Sequence, residues 1–270
     1  TGQAANIAVV APLAAPQNLT LQNFGGAGDI TLQAPVTAPG LLGLGASGNI
    51  TQSDAPVTAG TVLAVSTGGN VMLNDRTNST GTISGNAAGQ FQYVNAGPVT
   101  IGSAMAQGFD TAPAMVGPFS AGPLTANTLL IRTITGDLTL ATPIAVGSSA
   151  DLVAAATFQN TGKYAINGTA WRVWAATYQG EDRGGVAGSG TTPNFYGCAY
   201  GQTNCTIDPA LAASASFNHF IYATPVLPVA PVQPVAPVTP LEPERPETPA
   251  ATNGGATTAA GGPSPATTAN

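Results

Sequence analysis

Gly28-Asp29-Ile30-Thr31-Leu32, Gly48-Asn49-Ile50-Thr51-Gln52, Gly69-Asn70-Val71-Met72-Leu73 and Gly89-Gln90-Phe91-Gln92-Tyr93 are four copies of one signal, stepped 20, 21 and 20 residues apart. Gly136-Asp137-Leu138-Thr139-Leu140 reads as a fifth copy after a gap of 47 residues, the length of two longer turns. A second signal keeps time with the first: Ala34-Pro35-Val36-Thr37-Ala38, Ala55-Pro56-Val57-Thr58-Ala59, Gly97-Pro98-Val99-Thr100, Gly122-Pro123-Leu124-Thr125-Ala126 and Thr142-Pro143-Ile144-Ala145. Each repeat therefore reads as a Gly-Asx corner, a short alternating strand, a Pro-bearing corner and a second strand. Gly, Asn and Asp tolerate the backbone of tight bends, and Pro is excluded from a ladder interior but suits a corner.

A period near 20 with several short strands per repeat predicts an all-β parallel solenoid. One rung cannot bury its own inward side chains, and its neighbours do it for one another. Rungs stack about 4.8 Å apart, so like charges in register repel while Thr, Ser, Asn and Gln ladders stack on their own kind. The composition agrees. Charged residues make up 7% of the 270 residues, against about 25% in an ordinary domain. Leucine-rich repeats have similar lengths, but their Leu/Asn framework is absent; a β-sandwich is the main structural rival. A helical bundle is excluded, since no Glu, Lys or His occurs between Thr1 and Asn160.

The net charge of −6 with six Lys and Arg gives no basic footprint for nucleic acid. No apolar run approaches the length of about 18 residues that a membrane span needs, and no cationic segment leads an apolar one, so neither a span nor a signal peptide is expected. Thr1 does not read as a natural start, so a mature fragment or an incomplete reading is expected.

Three regions are expected: rungs over 1–157, an aromatic-rich cap module over 158–224, and a disordered Pro-rich tail over 225–270. Residues 158–222 hold both Trp, five of the six Tyr, both Cys and the one His. A solenoid end has an open edge that must be covered, and this block is placed there, with strands near Tyr164–Ile166, Ala170–Tyr178 and Ser216–Ala223. From Pro225 to Val238 Pro recurs every third residue, the period of polyproline II.

The chemistry-bearing residues are few. Asp54 and Asp75 lie six residues after their rung's Gly and would stack one strand spacing apart; they are read as corner residues, with paired acids as the alternative. Asp29, Asn49, Asn70, Gln90 and Asp137 read as an amide corner ladder. His219, the one His, is expected to pack beside Phe220 and Tyr222, and no multi-His metal site can form within one chain. Cys198 and Cys205 are expected to form one short-loop disulfide if the chain is secreted. Trp171, Trp174, Tyr178, Phe195 and Tyr196 form the one candidate ligand surface, weighed against a cap core. Alternation puts Trp171 and Val173 on one face and Arg172 and Trp174 on the other. Gly180-Glu181-Asp182-Arg183-Gly184-Gly185 is read as a solvated loop tip. No catalytic, cofactor or metal residue is assigned.

The rungs, together with Phe158-Gln159-Asn160-Thr161-Gly162, Trp171-Arg172-Val173-Trp174, Phe195-Tyr196 and Phe217-Asn218-His219-Phe220-Ile221-Tyr222-Ala223-Thr224-Pro225, resemble bacterial exoproteins of the filamentous haemagglutinin type over roughly residues 20–225. The resemblance implies a secreted, right-handed parallel β-helix, exported through a dedicated outer-membrane partner and acting as an adhesin. The function expected is a non-enzymatic, surface-exposed adhesin-like exoprotein whose β-helix is a rigid stalk. Its partners would be glycans or proteins of host cells, neighbouring cells or biofilm matrix. The alternatives are a polysaccharide-active β-helix enzyme, with Asp54 and Asp75 as its acids, and a structural fibre or matrix protein.

Overall fold

The computed structural model describes residues 5–108, 119–190, 193–202 and 218–225, with the backbone of 110–111 and 114–115. The expected disulfide partner Cys205 and the Pro-rich segment from 226 onward lie outside the described residues. The chain is an all-β parallel solenoid of about 8 turns with about 21 residues per turn.

The alternating strands that follow the Gly-Asx corners build the first wall. Ile7, Ile30, Ile50, Val71, Phe91, Leu129, Ala150 and Trp171 stand one above another in parallel register. Their successive steps are 23, 20, 21, 20, 38, 21 and 21 residues. Leu13, Val36 and Val57 begin the second wall. Leu19, Leu42, Val62, Ile83, Ile101 and Leu140 mark the third. The strand Val36–Ala46 serves both of these walls, breaking register between Ala38 and Leu41. Pro39 and Gly40 sit at that break, where a missing N–H does least harm to the ladder.

Inward residues from the three walls fill one continuous lumen. Ile30, Leu32, Leu42, Leu44, Phe91, Tyr93, Ile131, Leu152 and Phe158 are fully buried there. Each such side chain contributes about 1.5–3 kcal/mol by leaving water. The corners inside the lumen are closed by buried Asn. Asn78 accepts from Val57 N at 2.8 Å and donates to Leu73 O and Val94 O at 3.2 Å each. Asn95 accepts from Thr80 N at 2.9 Å and donates to Gly97 O and Pro98 O at 3.0 Å.

The repeat reading needs two corrections. First, Leu138 pairs with Val99 and Phe158, not with Phe91. Gly136–Leu140 therefore belongs to another corner, and the 47-residue gap is not two longer turns. Phe91 is followed in register by Leu129, one turn enlarged by a side excursion. Second, the Pro signals occupy three different corners, since Val36 pairs with Val57, Val99 with Leu138, and Leu124 with Ile144. Any Pro-apolar step can round a corner, so the motif reports a bend without reporting which one.

The excursion is an antiparallel arm. Ala104–Ala106 pairs with Phe119–Ala121, and Asp110–Thr111 pairs with Ala114–Met115. Phe119, Ala106 and Ala121 lie on the outward-facing Leu63 and Val65 and make a second apolar cluster outside the lumen. Phe24 meets Phe119 edge-on at 5.6 Å. The arm reaches the stack because two outward positions of Val36–Ala46, Gly43 and Gly45, are glycine. A Cβ on Gly43 would lie 2.7 Å from Ala106 Cβ, and one on Gly45 would lie 2.7 Å from Phe24 Cζ.

The aromatic block continues the same stack. Ala170–Ala175 pairs with Ser149–Val153 on one side and with His219–Tyr222 on the other. His219–Tyr222 in turn pairs with Asn194–Tyr196, a strand the sequence did not announce. The final described strand thus lies between two earlier ones.

Gly180–Gly185 is not a solvated tip. Asp182 bridges Gln159 in parallel, which adds the segment to the wall of Gln159 as its next rung. The Glu181 side chain is only 8% exposed; it pairs with Arg183 Nε at 2.5 Å and accepts from the Tyr222 hydroxyl at 2.6 Å. Arg183 lies 4.0 Å over the Phe220 ring and donates to Asn194 Oδ1. Tyr178, Tyr196 and Tyr222 pack together at 5.4–5.7 Å between ring centres. The charges are where they are because an exposed aromatic end is wetted best by a cation over a ring face.

Candidate functional site

The outward positions of the first wall gather polar and aromatic groups over the last four turns. Alternation sends Leu129 and Ile131 inward and Thr128, Leu130 and Arg132 outward. In register, Gln92, Leu130, Asp151 and Arg172 form one outward file. Val94, Arg132, Val153 and Trp174 form the next.

Asp151 is the hub. It takes Arg172 Nε at 2.6 Å on one oxygen and Nη2 at 2.5 Å on the other, and it accepts from Trp174 Nε1 at 3.0 Å. Tyr200 then lies over the second file. Its ring stands edge-on to Trp174 at 5.4 Å. The Arg132 guanidinium sits 5.3 Å over its face. Val153, small and buried, lies between Arg132 and Trp174 and leaves the depression that Tyr200 fills. Burial, and next the Asp151 carboxylate, pushes the Tyr200 hydroxyl above its ordinary range, with Arg132 and Arg172 opposing.

Tyr200 divides the flank into two concavities. One, of about 170 Å³, is lined by Arg132, Ala155, Trp174, Ala176, Tyr200 and Ala223. The other, of about 250 Å³, is lined by Gln90, Gln92, Thr128, Ser149, Asp151 and Tyr200. Among the described residues Arg132 forms no ion pair with a carboxylate; the two ion pairs are Arg172–Asp151 and Arg183–Glu181. The flank therefore offers a guanidinium with no described carboxylate partner, two aromatic side chains and a row of neutral donors and acceptors.

The five aromatic residues marked in the sequence do not form one surface. Trp171 is buried in the lumen against Phe220 at 5.2 Å, while Trp174 faces out. Phe195 is buried outside the lumen, where it meets His219 at 4.9 Å and packs with Cys198 and Ile221. Tyr178 and Tyr196 belong to the end cap. Only Trp174 lies on the flank groove. His219 is buried on the outward side of its strand, with Phe195 as its ring neighbour. Cys198 is buried and disulfide-bonded.

Asp54 and Asp75 are corner residues. Asp54 is exposed in a left-handed conformation, φ 47°. Asp75 caps its own turn, accepting from Thr77 N at 2.8 Å and Thr77 Oγ1 at 2.6 Å. The amide ladder at the Gly-Asx corner is continuous. Asn49 N donates to Asp29, Asn70 N to Asn49 and Gln90 N to Asn70 at 2.6–3.0 Å. Asp137 stands outside it, at the corner where Thr157 N donates to its carboxylate at 2.9 Å. Among the described residues no group of three His, Cys, Asp or Glu is placed to hold a metal ion, and no helix is long and apolar enough to cross a membrane.

Arg132, Asp151 and Tyr200 carry the groove and were not singled out by the sequence. Two of them had a signal. Asp151 and Arg172 are 21 residues apart, as are Arg132, Val153 and Trp174, and that step puts residues in contact across turns. Tyr200 reaches the groove from a loop of no fixed period.

Fold and flank together define a class: a parallel β-solenoid rod with one end sealed and a groove on its side. No family model matches the chain, and no curated protein or solved structure does.

Proposed function

We propose that the chain is part of a secreted or surface-exposed bacterial adhesin-like exoprotein. In this reading the solenoid is a stiff stalk, and its flank makes non-covalent contact with glycans or proteins of another surface. Export would use an outer-membrane secretion partner. The observation that carries the reading is the single lumen core that runs through all eight turns to the Tyr222 cap. Such a core resists local opening, because each rung is held by two neighbours. Most of the binding groups sit on strands on the outside of that rod, and Tyr200 joins them from a loop. Sparse charge also suits a surface that meets diverse partners through neutral hydrogen bonds.

The test is on the source cells. Antibody against residues 28–175 should label intact cells or appear in the culture fluid, and a strain lacking the protein should attach less to host cells or to biofilm matrix. Recovery of the protein only from inside lysed cells would overturn the proposal. The purified protein should show no turnover of acidic glycans; turnover abolished in Asp54→Asn and Asp75→Asn would favour the enzyme reading instead.

A further inference from the structure

We infer that the flank groove around Tyr200 is a binding site for an acidic polysaccharide, with Arg132 receiving the carboxylate of one uronate unit. The inference deepens the adhesin reading by naming its ligand class, although the groove's chemistry stands without it.

Arg132 is a half-buried cation held by a ring face. A guanidinium over an aromatic face keeps its edge N–H groups free, and a fork of two N–H donors matches a carboxylate. The concavity beside it is lined by Ala155, Ala176 and Ala223, with Trp174 and Tyr200 as its walls. At about 170 Å³ it is smaller than the roughly 300–1,000 Å³ that encloses a drug-sized ligand. It suits one unit of a chain that continues outside it. Small apolar lining beside two aromatic side chains fits the C–H face of a pyranose.

The continuation lies on the other side of Tyr200. Gln90, Gln92, Thr128 and Ser149 come from three successive turns. Rungs about 4.8 Å apart place a neutral donor and acceptor close to the spacing of successive sugar rings. These groups match hydroxyls and would leave a second carboxylate unpaired. The one fixed negative charge in this half, Asp151, is already paired with Arg172 and accepts a hydrogen bond from Trp174. The groove therefore reads as one anionic subsite followed by neutral ones. A peptide is a poorer fit, because the groove offers no unpaired strand edge for its backbone.

Isothermal titration of the full chain with a short hyaluronan oligosaccharide, in which uronate alternates with a neutral sugar, with a neutral glucan of equal length and with an acidic peptide tests this. The hyaluronan oligosaccharide should bind, and Arg132→Gln should weaken it about tenfold or more. Tyr200→Phe should keep most of the binding and Tyr200→Ala should lose it. Arg76→Gln, at an exposed corner, should change nothing. An unchanged circular dichroism spectrum and melting curve for Arg132→Gln establishes that the fold survives. Equal binding by the glucan, equal binding by Arg132→Gln, preference for the peptide, or no binding of the hyaluronan oligosaccharide would each overturn the inference. A surface-exposed protein that ignores uronates would leave the adhesin reading standing. A uronate-binding protein found only inside cells would do the reverse.

Discussion

Arg172 stands directly over Asp151 in adjacent turns, and its guanidinium meets both carboxylate oxygens in a two-point pair. The same carboxylate holds the indole N–H of Trp174. Side chains of the pair are 15% and 21% exposed, so the charges are largely out of water. Asp151→Ala strands both donors. It should cost about 2–3 kcal/mol, read as a shift in the urea midpoint. The Trp174 fluorescence should move as its hydrogen bond is lost. A change below about 0.5 kcal/mol, the scale of an ordinary surface substitution, would mean the pair is incidental.

The buried corner amides make a sharper case. Asn78 is fully buried, with hydrogen bonds to backbone from two neighbouring turns and to Gln52 at 2.6 Å. Asn78→Ala should remove about 3 kcal/mol, since several buried backbone groups lose their partner at once. In a domain of this size that is a fall of roughly 6–12 °C in Tm. Asn74→Ala, at an exposed position on the same corner, should melt like the unaltered protein.

How much of this was legible in the sequence follows from what repeats. Ile30, Ile50, Val71 and Phe91 occupy like positions in successive turns, and a short even step survives as a readable period. The arm broke the count, because an insertion of unknown length cannot be told from extra turns by spacing alone. The lumen face of Trp171 and the outer face of Trp174 follow from strand alternation. Glu181 and Arg183 misled because charge in a Gly-rich loop is ordinarily hydrated; here the alternative was a bare aromatic end. Tyr200 was illegible, since its place depends on a loop folding back across two turns.

The arm should be separable from the solenoid. Gly45→Leu puts a side chain where the Phe24 and Phe119 rings now lie. The arm should lift off, and limited proteolysis should cut within 102–123 many times faster. Far-UV circular dichroism should stay unchanged, because the lumen lies on the other side of that strand. Gly25→Ala, with open space around its Cβ, is the control. A Gly45→Leu protein as resistant as the control would mean that the arm is held by something other than this contact.

Alkaline pH should unfold the protein through its buried tyrosines. Burial pushes the hydroxyls of Tyr93 and Tyr222 above their ordinary value of 10.0, and Glu181 adds to the shift at Tyr222. The unfolded chain loses these protons near pH 10 while the folded one keeps them. Stability is therefore full below about pH 10 and falls above it, by about 1.4 kcal/mol per pH unit for each such tyrosine. Urea titrations at pH 9, 10, 11 and 12 measure the slope. Tyr222→Phe should reduce it by one tyrosine's share; an unchanged slope would place the alkaline transition elsewhere.

The strand His219–Tyr222 is flanked by Ala170–Ala175 on one side and Asn194–Tyr196 on the other. A strand that formed the outermost rung would peel under tension, one hydrogen bond at a time. Here a pull on the segment after Tyr222 loads two ladders together, in shear along the strand direction. The order of strands at this end thus makes it a mechanical lock.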